Sequence, residues 1–328
     1  MRTEGSRHSG GRISALAAGL FGALVRARER AYARGRLGVA RLPHPVVSIG
    51  NLRVGGSGKT PTVIALGQEL MRQGVRLDVL SRGYRRASSH LEVAENGEED
   101  AARVGDEPKL IAARLHTPVL VHPDRFRAGL EGERRFASQL HLLDDGFQHR
   151  QLFRNFDLVL VSPGDLDDRL LPAGRLRETP EALARAHAVL WVGDQASFEA
   201  ARPRLGQLTQ AQLFCGCKRP LPLAAPPGGA LVAFCGLARP ESFWATLAEL
   251  GIVPVARRSF RDHHHYSARD LTRLRAWARA AGADGFVTTA KDAANLAGIL
   301  PDMCVVDIVM EIPALTGLMA LIREACAL

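Results

Sequence analysis

The stretch from Val47 to Thr60 constrains this chain more than any other, because it reads as a strand, a glycine-rich turn and a helix start. Its sequence is VSIGNLRVGGSGKT, and the residues that follow show the apolar spacing of a helix that ends at Gly74. Backbone N–H groups at a helix start and the helix dipole both attract anions. The pattern therefore predicts a phosphate-binding loop.

Two residues of this loop carry the predicted chemistry. Lys59 would reach the terminal phosphates of a nucleotide, and the hydroxyl of Thr60 would ligate a magnesium ion. The strict pattern has a glycine at position 53, where this chain has Arg53, and we interpret Gly55 and Gly56 as supplying the tight turn instead. A glycine-rich turn without function is the alternative. The chain has only four lysines among 43 basic residues, so a lysine at this place indicates a chemical requirement.

Length, charge and cysteine content limit the possible classes of protein. A chain of 328 residues that is 46% hydrophobic can form one large core or two smaller ones, and two domains are expected. The net charge of +9 indicates an acidic partner. Aromatic residues make up only 5%, and no zinc-finger or RNA-binding motif is present, so we expect no nucleic-acid partner but phosphates or a membrane surface. The five cysteines, Cys215-Gly-Cys217 included, fit reduced thiols better than disulfides or a metal site.

The N-terminal region predicts a membrane-associating helix over residues 13–40, after a disordered lead-in at 1–12. Thirteen apolar residues from Ile13 to Val25 precede a run rich in arginine. A spanning helix needs about 20 apolar residues, so an interfacial helix is predicted, and a helix packed on the protein core is the alternative. A signal peptide is disfavoured, because three arginines lie between the apolar run and the only cleavage-like site, Ala31-Tyr-Ala33.

Strands alternating with helical segments predict an α/β fold with a mostly parallel sheet between helices. The proline- and glycine-rich stretch 218–229 is expected to link a nucleotide-binding domain at 41–217 to a smaller α/β domain at 230–328. Two acids, Asp144 and Asp145, follow a hydrophobic strand about 85 residues after the loop, where a phosphate-loop protein holds magnesium. Carboxylates suit this hard cation, although a solvated strand end is the alternative.

Three further segments could carry chemistry, each with an alternative. Asp106 and Glu107 precede Pro108 at a helix start, where acids also act as ordinary capping residues. In the run Asp262–Tyr266, one of three consecutive histidines could pair with a carboxylate to deprotonate a hydroxyl, and a metal site is the rival interpretation. The segment TTAKD at 288–292 could be a helix N-cap. Its TAKD part superficially resembles a guanine-reading motif, which leaves a GTPase or metallochaperone-type switch as an alternative function.

Taken together, the motifs resemble those of tetraacyldisaccharide 4'-kinases, enzymes of lipid A biosynthesis. Eight motifs follow the order seen in that family over nearly the whole chain: VGGSGKTP, SRGYRR, GDEP, DDGFQH, LPAGRLRE, AFCGLARPESF, RDHHHY and TTAKDA. The apolar-basic N-terminus is also similar to the family's membrane-associating helix. One departure is Ala290, where the family usually has glutamate, so no catalytic role is expected there; His265 occupies a variable position.

The resemblance implies roles for particular residues. The nucleotide would be held by Val54, Gly55, Gly56, Ser57, Gly58, Lys59, Thr60 and Pro61. Magnesium would be held by Thr60, Asp144 and Asp145. Asp106 would act with His263 to activate the sugar hydroxyl, beside Lys59 as the third catalytic residue. Further active-site residues would be Arg82, Glu107, His149, Arg177 and Glu178.

The implied reaction uses ATP and Mg²⁺. The γ-phosphate would pass to the 4'-hydroxyl of tetraacyldisaccharide 1-phosphate, giving lipid IVA. The arginines Arg82, Arg85 and Arg86 are candidates for the phosphate of this lipid, with a solvated charge cluster as the alternative. The resemblance implies a protein at the cytoplasmic face of the bacterial inner membrane, attached through its N-terminal helix. No protein partner is inferred.

Overall fold

A computed structural model describes residues 6–83, 86, 88–221, 228–262, 264–296, 298, 300 and 302–328, with side chains from residue 16 onward. The predicted catalytic His263 and the predicted phosphate contact Arg85 lie outside the described residues. The chain forms two compact units: unit 1 comprises Met1–Arg82, Asp124–Cys217 and Met310–Leu328, and unit 2 comprises Gly83–Pro123 and Lys218–Val309. Both units are discontinuous along the chain. The boundaries at 217 and 230 stay a prediction, which limited proteolysis can test.

The first half of the chain contains the phosphate-loop region and a first excursion into unit 2. Its elements are α1 (Ser6–Ala33), β1 (Val46–Asn51), α2 (Lys59–Arg72), β2 (Leu77–Ser81), β3 (Glu92–Ala94), α3 (Ala101–Val104), α4 (Asp106–Leu115), β4 (Val119–Val121), α5 (Arg125–Phe136), β5 (Leu140–Asp144) and β6 (Phe156–Val161).

The second half completes unit 1 and forms most of unit 2. A 3-10 helix at Pro180–Arg185 is followed by β7 (Ala188–Val192), α6 (Gln195–Leu208), β8 (Gln212–Pro220), β9 (Leu231–Cys235), α7 (Pro240–Glu249), β10 (Ala256–Ser259), α8 (Ala268–Ala280), β11 (Gly285–Thr289), α9 (Ala290–Ala293), β12 (Met303–Val306), β13 (Ile308–Glu311) and α10 (Leu315–Cys326).

Unit 1 is built on a parallel sheet whose strands lie in the order β8-β7-β6-β1-β5-β2. Strands β1, β2, β5, β6 and β7 are buried at every residue, because helices cover both faces of the sheet. This burial explains their nearly continuous apolar sequences. Since the strands are parallel, their carboxyl ends share one edge of the sheet, where ligands of such folds bind.

Unit 2 contains a second parallel sheet, ordered β10-β9-β11-β12, and an antiparallel pair formed by β3 and β4. Two apolar clusters involve this sheet, one around Phe243 and Leu247 of α7 and one around Leu271 and Leu274 of α8. The predicted fold class, a mostly parallel α/β sheet with helices and a second α/β region, is confirmed.

Two predicted boundaries differ from the structure. Helix α1 covers Ser6–Ala33 rather than residues 13–40, and it stops before Gly35, whose positive φ of 64° is unsuited to a right-handed helix. Strand β8 runs to Pro220, three residues into the expected linker, of which residues 222–227 lie outside the described part. Among the described residues, none of the helices combines the length and the hydrophobicity that crossing a membrane requires.

Candidate active site

The phosphate loop joins β1 to α2 at the carboxyl edge of the unit 1 sheet. Gly58 caps α2 in the left-handed conformation, with φ 96° and ψ 16°, which explains why glycine precedes the lysine. A Cβ atom added at Gly55 or Gly56 would meet no other atom within 4 Å, so this part of the loop borders open space. The free backbone N–H groups of the first turn of α2 face an anion at such a helix start.

Lys59, the first residue of α2, lies within a cluster of polar side chains. Its Nζ atom is 3.4 Å from Oδ1 of Asn51 at the end of β1 and 3.4 Å from Oδ1 of Asp145 just after β5. Arg177 donates to both oxygens of Asp145, at 2.8 and 2.7 Å, and its guanidinium also contacts Oδ1 of Asn51. The structure thus brings together residues that are more than 120 positions apart.

Asp145 is held in this cluster by its backbone and by its charge partners. Its φ of 53° is in the left-handed region, which costs a non-glycine residue of the order of 1–2 kcal/mol. Burial alone would raise the pKa of its carboxyl, but the nearby Lys59 and Arg177 cations hold that pKa well below its usual range. The carboxylate is therefore ionised at any physiological pH, and its side chain is still 38% exposed.

Asp144, the last residue of β5, is buried beside this cluster. It pairs in register with Ile49 of β1 and accepts a hydrogen bond from the hydroxyl of Ser81 at the end of β2, at 3.3 Å. Ser81 leads directly into Arg82, which is exposed. The predicted magnesium acids and the predicted phosphate arginine thus follow neighbouring strands at one edge of the sheet.

Arg125 is a candidate site residue that the sequence analysis missed. It begins α5 and is only 5% exposed. Burial and the nearby Arg82 cation lower the pKa of Arg125 to about 10, whereas the Asp144 and Asp145 carboxylates oppose this, so the side chain keeps its charge at neutral pH. The sequence did contain a signal, because a cation in the first turn of a helix is disfavoured by the helix dipole.

His149 lies in the turn after Asp145, close to other cations. Burial, together with the Arg125 and Arg154 cations, lowers the pKa of His149 to about 3. Its imidazole is therefore neutral at working pH and can hydrogen-bond but not supply positive charge. The adjacent Gln148 donates from its amide to the backbone carbonyl of Asn51 at 3.0 Å, which fixes this turn against β1.

Arg53 occupies the position where the strict loop pattern has glycine, and the structure gives it a role. Its guanidinium is 3.0 Å from Oδ1 of Asp165, and both side chains are almost completely buried. Its neighbour Leu52 accepts a backbone hydrogen bond from Arg177 at 2.7 Å. Arg53 itself forms an isolated β-bridge with Leu176, so it helps to hold the segment that carries Arg177.

Glu178 follows Arg177 and is buried, with a side chain that is 4% exposed. One carboxylate oxygen, Oε2, accepts from Arg185 at 2.7 Å. Glu178 belongs to the same segment as the site residues, but its described partner is this arginine rather than the Lys59 cluster.

Unit 2 contains the remaining predicted acids. Asp106 is the first residue of α4 and is buried, and Glu107 is half-buried in the same turn. The helix follows Gly105, which has φ 94° and whose Cβ position would lie 3.5 Å from the backbone of Gly83. Acids in the first turn of a helix are favoured by its dipole, so the local geometry suits both a capping and a functional role.

The histidine segment of unit 2 is described on either side of His263. Asp262 accepts from Nζ of Lys291 at 3.2 Å. His264 stacks on Phe260, at 4.8 Å between ring centroids, and contacts Tyr266 edge-on. His264 therefore packs against aromatic rings, and in the described part of the chain no three metal-binding side chains come together.

Asp292, the acid of the TAKD motif, is engaged inside unit 2. It accepts from the backbone N–H of Gly236 at 2.7 Å, from the hydroxyl of Tyr266 at 2.8 Å and from that of Thr289 at 2.6 Å. Thr289 in turn caps α9. A guanine-reading aspartate must present its carboxylate to the base, so this buried carboxylate does not fit the nucleotide-switch alternative.

The site fits a magnesium nucleotide on the evidence of its donor atoms. Ser57 in the loop is buried, and its hydroxyl has no hydrogen-bond partner among the described residues. A buried hydroxyl without a partner is costly, so a ligand oxygen at the loop is a suitable partner. Thr60, Asp144 and Asp145 provide oxygen ligands of the kind that Mg²⁺ prefers. Lys59 and the start of α2 complement phosphate charge.

Fold and site together define a nucleotide-binding α/β protein of the phosphate-loop class. A family model described as tetraacyldisaccharide-1-P 4'-kinase matches residues 12–327. The tetraacyldisaccharide 4'-kinases of Koribacter versatilis and Geobacter metallireducens are 44% and 38% identical to the chain, which they match over 84% and 86% of its length and 86% and 87% of their own. The chain belongs to the tetraacyldisaccharide-1-P 4'-kinase family, and it is an ATP-dependent kinase.

A solved structure agrees with this assignment. The crystal structure of LpxK from Aquifex aeolicus, described as an "apo" form in complex with ATP, superposes with a TM-score of 0.78 at 30% identity. The similarity covers 94% of this chain and 97% of that one. The family resemblance inferred from the eight motifs is confirmed, and none of these comparisons favours the GTPase alternative.

Proposed function

We propose that this kinase transfers the γ-phosphoryl group of ATP to the 4'-hydroxyl of a tetraacylated glucosamine disaccharide 1-phosphate, giving lipid IVA. The family description supports the substrate class. The proposed residue roles are supported mainly by one observation, the cluster of Lys59, Asn51, Asp145 and Arg177 at the phosphate loop. Phosphoryl transfer depends mainly on positioning the reactants and neutralising charge, and this cluster is built for both tasks.

Residues 54–61 would hold the nucleotide phosphates, with Lys59 at the terminal ones. Thr60, Asp144 and Asp145 would hold Mg²⁺, which supplies neutralisation of phosphate charge when bound. Arg177 keeps Asp145 oriented through two hydrogen bonds. A fork of two parallel N–H donors fixes the direction of a carboxylate better than a single donor does.

Asp106 and His263 would act on the sugar hydroxyl. In this proposal Asp106 accepts the hydroxyl proton, and His263 orients Asp106 or shares the proton with it. The burial of Asp106 at the start of α4 supports the proposal, since a carboxylate sheltered from water is a stronger hydrogen-bond acceptor. Glu107 in unit 2 and His149 in unit 1 are proposed as further active-site residues, His149 as a neutral imidazole.

Arg82 and Arg125 would bind phosphate oxygens. Besides burial, the nearby Arg82 cation lowers the pKa of Arg125, and the Asp145 and Asp144 carboxylates oppose this. An added phosphate would relieve the repulsion between the two guanidinium groups. Guanidinium groups bind phosphate through two parallel hydrogen bonds.

Helix α1 would attach the protein to the cytoplasmic face of the bacterial inner membrane, where its lipid substrate lies. Leu16, Leu20 and Leu24 repeat every four residues on one face of the helix and are 76%, 66% and 62% exposed. The arginines that follow, Arg26 and Arg30, are also exposed. Apolar residues next to cations are typical of a helix lying in the interface of an anionic membrane.

A transfer assay with labelled ATP and detergent-solubilised disaccharide 1-phosphate tests the residue roles. We expect Lys59→Ala and Asp106→Asn each to lower kcat by about 10³-fold, since each removes a group that stabilises the transition state. Arg72→Ala, at the exposed end of α2, is the matched control and should stay within about twofold. Full activity in Asp106→Asn refutes its role as the base, and full activity in Lys59→Ala refutes the loop assignment.

Vesicle flotation tests the membrane proposal separately. Wild-type protein should bind vesicles containing phosphatidylglycerol, and the variant Leu16→Ser/Leu20→Ser/Leu24→Ser should lose this binding while keeping its thermal unfolding temperature. Unchanged flotation of the variant contradicts attachment through the leucine face.

A further inference from the structure

Helix α1 is joined to the candidate active site through charges in its last turns, beyond the exposed leucines. Glu29 accepts from Arg150 at 2.6 Å and from Arg185 at 2.8 Å, both through Oε2. The two arginines come from the turn after β5 and from the end of the 3-10 helix. One carboxylate on α1 thus connects two separate segments of unit 1.

Arg185 extends this connection toward the site. Its second terminal nitrogen donates to Oε2 of the buried Glu178 at 2.7 Å, and its guanidinium lies 4.5 Å from the centre of the Phe147 ring. Glu178 is adjacent in the chain to Arg177, which holds Asp145. Glu29, Arg185 and Glu178 therefore form a chain of alternating charges that runs from α1 to the segment that carries Arg177.

A second set of contacts runs in parallel. Arg28 donates to the backbone carbonyl of Gln148 at 2.8 Å, and the Gln148 amide donates to the carbonyl of Asn51. The guanidinium groups of Arg28 and Arg150 both lie near the ring of Tyr32, at 5.5 and 4.9 Å from its centre. The end of α1 therefore touches the turn that carries His149, and it contacts Arg185, whose second carboxylate partner is Glu178.

Glu29 is poorly explained by membrane attachment. It is the only acidic residue of α1, whose other charged residues are basic. A negative charge weakens the attraction of a helix to an anionic membrane surface. The Glu29 side chain is only 23% exposed and is paired with two arginines, so its contacts point to a role inside the protein.

We propose that Glu29 is a positioning residue for phosphoryl transfer. It holds Arg185 in place, and Arg185 holds the buried Glu178 carboxylate, so that the Arg177–Glu178 segment presents Arg177 to Asp145. Without Glu29, Arg185 is free to turn toward solvent and Glu178 loses its described partner. This inference rests on the proposed function, and it makes α1 part of the catalytic scaffold as well as an attachment helix.

The test compares Glu29→Gln with Glu324→Gln, an equal change of charge on the exposed surface of α10. In Glu29→Gln we expect kcat to fall about tenfold, because small displacements of positioned groups cost rate steeply. The KM for ATP should stay within about twofold of wild type, and flotation with phosphatidylglycerol vesicles should be undiminished. Glu324→Gln should match wild type in all three measurements.

Two further variants separate positioning from general stability. Glu29→Asp keeps the charge and should recover part of the lost kcat. Arg185→Gln combined with Glu29→Gln should be no slower than Arg185→Gln alone, since residues of one network have non-additive effects. Rates are expressed per ATP-binding site, so a loss of folded protein does not imitate a loss of kcat.

The outcomes are distinct. A kcat for Glu29→Gln within twofold of wild type overturns the positioning role, and so does a loss explained entirely by weaker vesicle binding. A different result would contradict the proposed function itself, namely transfer activity that survives in Lys59→Ala.

Discussion

Strand β5 has a charged cluster at each of its ends, and the two clusters are built differently. At its amino end, His141 lies between the carboxylates of Asp78 and Glu133. At its carboxyl end, Asp145 lies between Lys59 and Arg177. Both sets contain a central group between two of opposite charge, so charge alone does not distinguish a structural cluster from a functional one.

Solvent access does distinguish them. The side chains of His141 and Asp78 are completely buried, and their contact is 2.7 Å long. The side chains of Asp145 and Arg177 are 38% and 21% exposed, although their contact is equally short, at 2.7 Å. A closed cluster has no room for a ligand and can only stabilise the fold, whereas an open one can exchange its partners for a substrate. We infer that the closed cluster around His141 holds α5 against the sheet and that the open cluster around Asp145 binds substrate.

The largest effect is predicted for a substitution that disrupts the open cluster. Asp145→Asn should lower kcat by about 10³-fold, or about 4 kcal/mol, because Lys59 and Arg177 lose the carboxylate that positions them. The free energy of unfolding should also fall, because the depressed pKa of Asp145 means that its carboxylate stabilises the fold, but by less than the catalytic loss, since the side chain is 38% exposed and its ion pairs are screened by water. Asp167→Asn, on an exposed side chain, is the control for the assay. Retained activity in Asp145→Asn would falsify the functional role of this cluster.

Removing the centre of the closed cluster should have the opposite result. We expect His141→Ala to lower the free energy of unfolding by about 3 kcal/mol, because the buried Asp78 and the partly exposed Glu133 lose their partner. Urea unfolding measures this, with the exposed His44→Ala as a control near zero. The kcat per folded molecule should stay within about twofold. A large kcat loss with unchanged stability would reverse the two assignments.

A more conservative substitution tests how the open cluster around Asp145 depends on hydrogen-bond geometry. Arg177→Lys keeps the positive charge but loses the forked contact with Asp145, so we expect kcat to fall about 30-fold, or about 2 kcal/mol. The exposed Arg202→Lys should have no effect. If the kcat of Arg177→Lys equals that of wild type, the cluster needs only a positive charge at this position and not the forked hydrogen bonds.

The smallest predicted effect is a pH dependence of stability at the closed end. Burial alone would lower the pKa of His141, but its contacts with Asp78 and Glu133 raise it above its ordinary value. Such a group stabilises the fold fully below its unfolded pKa, about 6.5, and this contribution is lost as pH rises through the folded pKa. The free energy of unfolding should therefore fall more steeply above neutral pH in wild type than in His141→Gln. Equal slopes contradict the pairing.

Much of the fold and of the site was predictable from short sequence patterns. The strands at 140–144 and 156–161 are continuous apolar runs, and such runs identify buried strands wherever they occur. Lys59, Asp144 and Asp145 could be proposed as site residues because each lies at a fixed place relative to a strand or a loop. Parallel strands then bring those places to one edge of the sheet.

The residues that the sequence missed depend on contacts between distant segments. The only local signal at Arg125 is a cation in the first turn of a helix, and the role of Arg53 depends on its buried partner Asp165, far away in the chain. Glu29 is the only acid of α1, but the sequence does not show which arginines it meets. The discontinuous make-up of the two units was likewise not readable from the linker-like stretch at 218–229.

The sequence by itself determined the class of protein, because a phosphate loop, its strand-end acids and the ordered motifs are local features that chain chemistry imposes. Only the tertiary structure decided which charges meet. Arg185 is 156 residues from Glu29 in the chain, and Arg177 is 126 residues from Asn51. The physical reason is that a charge acts over a few ångströms, and the fold alone sets which side chains come that close.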